Sequence, residues 1–428
     1  MNPIRLLQGI IAPKQISNND QTGFSLRPGQ IINGKILKLF KNQMAEVQVG
    51  TQKMIARLEV PLSANERYWF QVQSSEGQMN LKLISKIENT NHTEGLLNQF
   101  GLPASKENIE LLNFILDHKI PIEKNVFQEA SVLLKDIKLE SPGMNTIKLM
   151  IEKGLPLTKS IFTSLMSLQK NEPIHQLLEK LFVLIKDKEQ TDTTSQLREL
   201  LEKQIGVLNS NSVLPSLESS DSSTLSNYIK HMIQAIGYDY EQSLVEKGAD
   251  KNSEMELSLK PLLLRFLNEH PHTEHKAVAE QILNQITALQ ILSHDTGPIQ
   301  QVIVQIPLLF GQQGSDLLVQ WNGRKKQDGK IDPNYCRVLF YIDLTHIGDT
   351  IIDMQIKNRI MSISIVNGRD DLKEIASPLI QSLKEELEKM DYHLSSIKFA
   401  EPSESSNPVY GTNSLYGTNS YEGVDFRI

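Results

Sequence analysis

The chain has 428 residues, of which 39% are hydrophobic and 22% are charged, and its formal net charge is -7 at pH 7. Because one hydrophobic core usually serves about 100 to 200 residues, this length predicts two to four domains. The negative charge disfavours nucleic acid and anionic membrane surfaces as partners of the whole molecule, and no apolar run approaches the roughly 18 residues that a membrane span needs.

The single cysteine and residues 1–11 indicate the cellular compartment of the protein. Cys336 alone can form neither a disulfide framework nor a thiolate metal cluster, which is typical of a protein in a reducing compartment. Residues 1–11 lack the basic start and the long apolar core of a secretory signal. We therefore expect a cytoplasmic protein that does not insert directly into a membrane.

Residues 26–90 show the pattern of a small β-barrel. Short runs of alternating apolar and polar residues recur about every ten residues, and Gly34, Gly50 and Gly77 separate them. Five short strands at this spacing predict a small antiparallel β-barrel.

The same segment is rich in cations. Between Arg27 and Lys86, nine Lys and Arg residues stand against four Glu residues. With the rings of Phe40, Tyr68 and Trp69, these cations could form a face that binds oligonucleotides, because cations attract phosphates and rings stack on bases. The alternative interpretation is a solvated surface over a core that contains the aromatic residues.

Helical patterns follow after residue 92. A Leu/Ile-Pro-x-x-Lys motif occurs at residues 102–106, 120–124 and 155–159. Proline suits the first turn of a helix because its missing N–H has no helical partner there, so each motif predicts a helix start. We interpret this region as a set of helical hairpins.

Composition divides the chain further. The polar Ser- and Asn-rich stretch before residue 226 cannot bury enough apolar surface to fold, whereas helix-spaced aliphatic residues recur between residues 274 and 292. The expected organisation is a flexible N-terminus (1–25), the barrel (26–90), a helical region (93–205), a linker (206–226), a second helical region (227–295), a C-terminal domain (298–400) and a disordered tail (401–428).

Three histidines are weak candidates for metal ligands. His270, His272 and His275 lie in the sequence His-Pro-His-Thr-Glu-His, and imidazole is a common ligand of zinc, copper and nickel. Because Pro271 imposes an extended or turn conformation on His270, the cluster is expected at a helix start in contact with solvent. We expect no bound metal and no cofactor.

The C-terminal domain combines alternation with one helical stripe. Aliphatic residues alternate in five runs between residues 302 and 365, which predicts an antiparallel sheet with one apolar face. Between residues 372 and 390, eight apolar residues recur at helical spacing, which predicts one long amphipathic helix that packs on this sheet. A last strand is expected at residues 394–399. The predicted fold class is multidomain α+β: a barrel, central helical hairpins, and an antiparallel sheet packed on one long helix.

The order of these elements is distinctive. Ile347-Gly348 precedes a hairpin of alternating aliphatic residues at 352–356 and 361–365, which is followed by the long helix, a turn and a last strand. This order resembles the C-terminal domain of the bacterial flagellar hook-length control protein family, over about residues 300–400.

The resemblance implies a non-enzymatic protein of the flagellar type III secretion system, either cytoplasmic or exported by that pathway. Its C-terminal domain would contact the cytoplasmic domain of a flagellar export-gate component and switch the substrate preference of the gate. Carried over by position, the contact surface would include Gly348 and the hairpin strands from Ile352 to Ile365, with Ile352, Met354 and Ile363 among them and the helix Leu372 to Met390 behind. Alternating aliphatic residues belong more often to a core than to an interface, and the exposed neighbours Asp349, Lys357 and Arg359 are equally plausible contacts.

The tail offers a further contact. After a repeated Tyr-Gly-Thr-Asn-Ser sequence, the chain ends with apolar Val424, Phe426 and Ile428 in alternation with charged residues. A peptide that adds a strand to a sheet has this pattern. The alternatives to a flagellar regulator are a cytoplasmic adaptor that reuses the same domain, and a weak oligonucleotide-binding protein acting through the barrel.

Overall fold

The fold is described from a computed structural model. The described residues are 28–50, 52–75, 78–86, 92–118, 120, 123–135, 141–170, 172–186, 191–204, 222–247, 257–269, 274–293, 299–310, 313–326 and 330–402. They form two compact units, which divide between Met166 and Ser167. None of the helices in these ranges is both long enough and apolar enough to cross a membrane.

The first unit begins with a closed barrel of five strands, as the sequence predicts. Around the barrel the strands follow the order β1-β2-β3-β5-β4, with β3 and β5 parallel and the other pairs antiparallel. The strands are β1 (Ile31–Leu39), β2 (Met44–Val49), β3 (Gln52–Leu58), β4 (Arg67–Ser75) and β5 (Gln78–Lys86).

The barrel core is apolar and tightly packed. Ile36, Val47 and Phe70 are fully buried at its centre. Gly34 lies against them, and a Cβ at this position would come within 2.7 Å of Val47 Cγ1 and 3.1 Å of the Phe70 ring. The position therefore accepts only glycine without movement of its neighbours.

Five helices complete the first unit: α1 (His92–Gln99), α2 (Lys106–Asp117), α3 (Lys124–Leu134), α4 (Ser141–Glu152) and α5 (Lys159–Ser167). The lysine that ends each Leu/Ile-Pro-x-x-Lys motif is the first residue of α2, α3 or α5, so the predicted helix starts are confirmed. The proposed role of proline is wrong at two of them, because Pro103 and Pro156 lie three residues before the helix. Ser105 instead caps α2 by accepting a hydrogen bond from the Asn108 N–H.

In its described residues, the second unit has six helices before its sheet. The helices are α6 (Ile174–Ile185), α7 (Asp192–Glu199), α8 (Ser222–Ile236), α9 (Tyr240–Lys247), α10 (Leu259–Glu269) and α11 (Glu274–Leu292), with a short 3-10 turn at Leu168–Lys170 and a π turn at Leu200–Gln204. Apolar residues of α6, α7, α8, α10 and α11 share one core with the first three strands of the sheet. The central helices and the C-terminal sheet thus stabilise each other.

The sheet has six strands in the order β11-β10-β9-β8-β7-β6. Strands β6 to β10 form the predicted antiparallel meander, and β11 then pairs with β10 in parallel. A parallel neighbour requires a crossover, and the long helix α12 (Leu372–Lys389) provides it. The strands are β6 (Ile299–Phe310), β7 (Gln313–Lys325), β8 (Ile331–Leu344), β9 (Gly348–Lys357), β10 (Ile360–Asn367) and β11 (His393–Ala400).

One face of the sheet carries helices along its width. Phe340 on β8 packs with the core that α6, α7, α8, α10 and α11 share, whereas Cys336 on β8 belongs to a smaller cluster with Leu387 of α12. Residues four apart on a strand point to the same face, so both helical groups cover that face. The predicted fold class, with a barrel, central helices and a C-terminal sheet packed on a long helix, is confirmed.

Candidate functional site

The clearest surface feature of the second unit is a row of exposed aliphatic residues on α12, called the apolar row below. Ile375, Leu379 and Leu383 are 47%, 67% and 39% exposed. Because they are four residues apart, they form one line along the helix. Large aliphatic side chains in contiguous exposed groups are characteristic of binding surfaces.

The sequence predicted that the whole apolar stripe of α12 packs on the sheet, and this expectation is wrong. Leu387, at 8% exposure, is the buried residue of the helix, and Leu372, Ala376 and Ile380 are half-buried. The stripe is wider than the contact between one helix and the edge of a sheet. Ile375 and Leu379 each precede a half-buried residue by one position, or about 100° of helical turn, and Leu383 continues their line, so these three side chains are left in solvent.

The predicted contact residues of the hairpin lie under or beside α12. Ile363 is 7% exposed and belongs to the cluster around Leu387, and Ile352 and Met354 are half-buried against the same cluster. They share the sheet face that α12 covers, because Ile363 is in register with Met354 and Ile365 with Ile352. Ile363 thus stabilises the core, and the half-buried pair lies at its surface.

Gly348 and Asp349 begin β9 after a tight turn. Gly348 has a φ of +77°, a left-handed conformation that strongly favours glycine. The buried amide of Asn367 holds this turn, since its Nδ2 donates to the Ile347 and Asp349 carbonyl oxygens, both at 3.0 Å. The sequence indicated a turn at Asn367-Gly368 but did not show that the Asn367 side chain binds the β8–β9 turn.

Lys357 and Arg359 lie at the β9–β10 turn. The Lys357 side chain is exposed, whereas Arg359 is held by several contacts, among them an ion pair with Asp391 at 3.5 Å. Its guanidinium lies 5.1 Å from the centre of the Tyr392 ring, its Nε donates to Asn334 Oδ1, and its Nη1 donates to the Met390 carbonyl oxygen. Arg359 therefore ties the hairpin to the end of α12.

The tail residues Val424, Phe426 and Ile428 lie outside the described residues, and so do His270 and His272. His275 is described, and at 8% exposure it is buried as the second residue of α11, so the expectation of a solvent-exposed cluster is wrong for this residue. Among the described residues, no three His, Cys, Asp or Glu side chains lie together as metal ligands would.

A buried carboxylate joins α6 to the sheet. Asp316 on β7 is 2% exposed. Its Oδ2 accepts hydrogen bonds from the Ile174 N–H at 2.7 Å and from Gln305 Nε2 at 2.8 Å. Its Oδ1 lies 3.2 Å from the backbone nitrogen of His175 and 3.1 Å from its Nδ1. Asp316 thereby caps the first turn of α6, a structural role that sequence spacing did not suggest because 141 residues separate the partners.

In the first unit, the outward face of β1, β2 and β3 carries cations and is called the cationic face below. In register, Lys35 stands beside Gln48 and Gln48 beside Lys53. Arg57 on β3 points to the same side, because the intervening Ala56 is buried in the core. The described part of the barrel contains eight cations and three acids: Lys35, Lys38, Lys41, Lys53, Arg57, Arg67, Lys82 and Lys86 against Glu46, Glu59 and Glu66.

The aromatic residues of the barrel are not all at the surface, as the hypothesis of an oligonucleotide-binding face requires. Tyr68 and Trp69 are 4% and 6% exposed, so they are not available to stack on bases. Tyr68 instead donates a hydrogen bond from its hydroxyl to Glu66 Oε2 at 2.6 Å. Phe40, in the turn between β1 and β2, is 49% exposed and lies next to Lys41. Of the three rings, only Phe40 is at the surface.

Comparison with known proteins agrees with the barrel. Residues 8–82 match the family described as the TP0910 S1-like domain. The chain is also 26% identical over 182 residues to the uncharacterized protein YlqG of Bacillus subtilis (strain 168), a match that spans 42% of this chain and 31% of that relative. No solved structure matches the chain significantly. The chain's barrel is thus similar to an S1-like domain, and helices and a C-terminal α+β region follow it.

Proposed function

We propose that the protein is a non-enzymatic binding protein whose C-terminal domain binds a protein partner through the apolar row of α12. The observation that carries this proposal is the exposure of Ile375, Leu379 and Leu383 in one line, beside the half-buried Ala376 and Ile380 of the same helix. These side chains are 39% to 67% exposed, so each forgoes part of the about 1.5 to 3 kcal/mol that full burial contributes. A partner that covers them recovers this free energy.

The more specific form of the proposal is a flagellar regulator that acts on the type III export gate. The order of hairpin, long helix and final strand supports it, since this is the order on which the resemblance to hook-length control proteins rests. Neither the matched family nor the matched protein is named as flagellar, and the flagellar role stays a prediction. The partner would then be the cytoplasmic domain of an export-gate component, and the half-buried Ile352 and Met354 would lie beside the contact.

Binding to the purified gate domain tests the proposal. Leu379→Lys should weaken binding by about tenfold or more, because burying one leucine contributes about 1.5 to 3 kcal/mol. Ser377→Lys is the matched control, since this exposed residue lies on the same helix away from the row. Equal affinities for the two variants would refute the role of the row.

A separate experiment tests the flagellar form. Deletion of residues 301–428 in a flagellated host should change hook length or motility. If the host is unaffected but the tagged protein still captures a partner that Leu379→Lys loses, the protein is an adaptor unrelated to flagella.

The cationic face supports a second candidate function, which is binding of single-stranded nucleic acid by the barrel. Five-stranded barrels of this type commonly bind oligonucleotides on the face formed by their second and third strands and the adjoining loops. Here that face carries Lys53 and Arg57, and the adjoining turn carries the exposed ring of Phe40. The match to an S1-like domain supports this candidate.

Fluorescence anisotropy with labelled single-stranded RNA and DNA tests this candidate. Affinity should fall as salt rises, and the double variant Lys53→Gln, Arg57→Gln should reduce the slope against log salt by about one to two, or roughly one for each lost phosphate contact. Lys106→Gln, at an exposed lysine of α2 in the same unit, should leave the slope unchanged. Binding that does not depend on salt, or equal slopes for all proteins, would reject the candidate.

A further inference from the structure

The face of the six-stranded sheet that points away from α12 carries a row of exposed residues at one end, called the outer row below. Cys336 on β8 packs in the cluster under α12, so its neighbour Tyr335 points to the opposite face. Tyr335 is in register with Lys357 on β9, and Lys357 with Ile360 on β10. His393 on β11 is in register with Ile360. The outer row thus crosses four neighbouring strands, and its four side chains are exposed.

The outer row places an aromatic ring among cations. Tyr335 is 40% exposed, and the Arg324 guanidinium lies 5.6 Å from the centre of its ring. Lys357 stands beside Tyr335 on the next strand. The charge of Lys326, which follows β7, is offset by Asp332, whose Oδ1 lies 3.8 Å from the lysine Nζ. The cations next to the ring are therefore Arg324 and Lys357.

Behind the outer row the same face is polar. Arg337 is in register with Gln355 on β9, and Gln355 with Ser362 on β10. The carboxylate of Asp353, one row further, accepts hydrogen bonds from Arg337 Nε and Nη2, both at 2.8 Å, and this ion pair neutralises it. The exposed Lys398 on β11 lies in the row of Asp353. The face therefore combines amide and hydroxyl groups with a positive charge.

We propose that this face binds single-stranded nucleic acid, with a base stacked on Tyr335 and phosphates at Arg324, Lys357 and Lys398. A four-stranded sheet with exposed rings can stack two or three bases of a single strand in this way. The negative charge of the whole chain does not prevent the contact, because salt limits the reach of exposed charges to about 8 Å at physiological ionic strength. The proposal depends neither on the apolar row, which lies on the helix that covers the other face, nor on the barrel.

The observations favour a nucleic acid over an acidic peptide. A peptide carboxylate would use Arg324 and Lys357 but has no group that stacks on the exposed Tyr335 ring. A base has a π-face for this ring, and its edge can exchange hydrogen bonds with the Gln355 amide and the Ser362 hydroxyl. A duplex fits less well than a single strand, because its bases are already stacked on each other.

Fluorescence anisotropy with labelled oligouridylate and oligothymidylate of about 15 nucleotides tests the proposal. The reference protein is the full-length Lys53→Gln, Arg57→Gln variant, which weakens any binding at the barrel. On this background, Arg324→Gln with Lys357→Gln should reduce the slope of log affinity against log salt by about one to two. Tyr335→Leu should weaken binding about tenfold, because it removes the stacking ring. The proposal holds for either probe, and the tighter one identifies RNA or DNA as the ligand.

The matched control is Lys373→Gln with Lys384→Gln, which removes two exposed positive charges from α12. This variant should keep the slope and the affinity of the reference protein. Equal slopes for the two double variants would overturn the proposal, because only the total charge would then matter. The proposal would also fail if the reference protein did not bind, or if a polyglutamate peptide bound as tightly and Tyr335→Leu changed neither affinity.

Cross-linking locates the site in the native protein. An oligonucleotide that contains thiouridine, irradiated with the full-length protein, should attach to the peptide 331–344, which contains Tyr335. Cross-links confined to residues 28–86 would place the nucleic acid on the barrel alone and would rule out the sheet face as a binding site.

Discussion

The barrel and the C-terminal sheet are both built from alternating strands, but they expose different kinds of surface. The barrel closes on itself around a core of buried hydrophobic residues, and its outward face presents Lys35, Lys53 and Arg57 to solvent together with the 62% exposed Ile55. Among the residues that the structure describes, the sheet ends at β11 without a further strand, and its crossover helix exposes Leu379 and neighbouring aliphatic residues. Closure removes the edges at which strands from other chains can pair, whereas an open sheet retains them. The difference suggests that the barrel is suited to an anionic ligand and the crossover helix to protein partners.

The two cores differ as well. The buried cluster of the barrel contains no charged residue, whereas the second unit buries the carboxylate of Asp316 against the first turn of α6. A buried carboxylate stabilises only while all its donors remain in place, because an unpaired buried polar group costs free energy. The second unit should therefore be the more sensitive of the two to a single polar substitution.

The largest effect is expected at this carboxylate. Asp316→Ala leaves the Ile174 and His175 N–H groups without their acceptor and should lower the free energy of unfolding of the second unit by about 3 to 5 kcal/mol. Urea denaturation followed by tryptophan fluorescence in a Trp69→Phe background measures this change. Trp321 is then the only tryptophan, and its fluorescence reports the unfolding of the second unit. Asp343→Ala, at an exposed carboxylate, is the control. A loss below about 1 kcal/mol would contradict the importance of the cap.

The next effect separates the packed side of α12 from the exposed side. Leu387→Ala should destabilise the second unit by about 2 to 3 kcal/mol, because it removes a buried side chain from a small cluster. Leu379→Ala should change stability by less than about 0.5 kcal/mol, because the side chain is 67% exposed. Thermal unfolding of both variants checks the contrast. Equal losses would mean that Leu379 contributes to folding, not to binding.

The smallest effect concerns the surface of the barrel. Hydrogen bonds from Lys86, at 2.7 Å, and from Tyr68 hold the pKa of Glu66 below its usual value. A carboxyl with a depressed folded-state pKa adds stability above its unfolded pKa, and this stability is lost as pH falls through the folded pKa. Lys86→Met should raise the pKa of Glu66. It should also make the loss of the barrel's unfolding free energy with falling pH slightly less steep. A carboxyl NMR titration measures the first effect, and an unchanged pKa would disprove the contribution of Lys86.

Several elements could be predicted because their causes are local. The alternating runs predicted both β-structures, and the Leu/Ile-Pro-x-x-Lys motifs located the starts of α2, α3 and α5. Other features depended on distant contacts. Sequence periodicity placed Leu379 and Leu387 in one apolar stripe, but only the position of the helix on the sheet separated them. The aromatic hypothesis failed at Tyr68 and Trp69 for the same reason, since a ring in a strand can face the core or the solvent.

The sequence alone determined the type of each main element in this protein, because strand and helix periodicities are properties of neighbouring residues. It also determined the order of elements on which the resemblance to hook-length control domains rests. The tertiary structure decided which apolar residues remain exposed, which strand ends the sheet in the described residues and where Asp316 finds its partners. These outcomes depend on which surfaces meet in space, and residues as far apart as Asp316 and Ile174 meet only after the chain has folded.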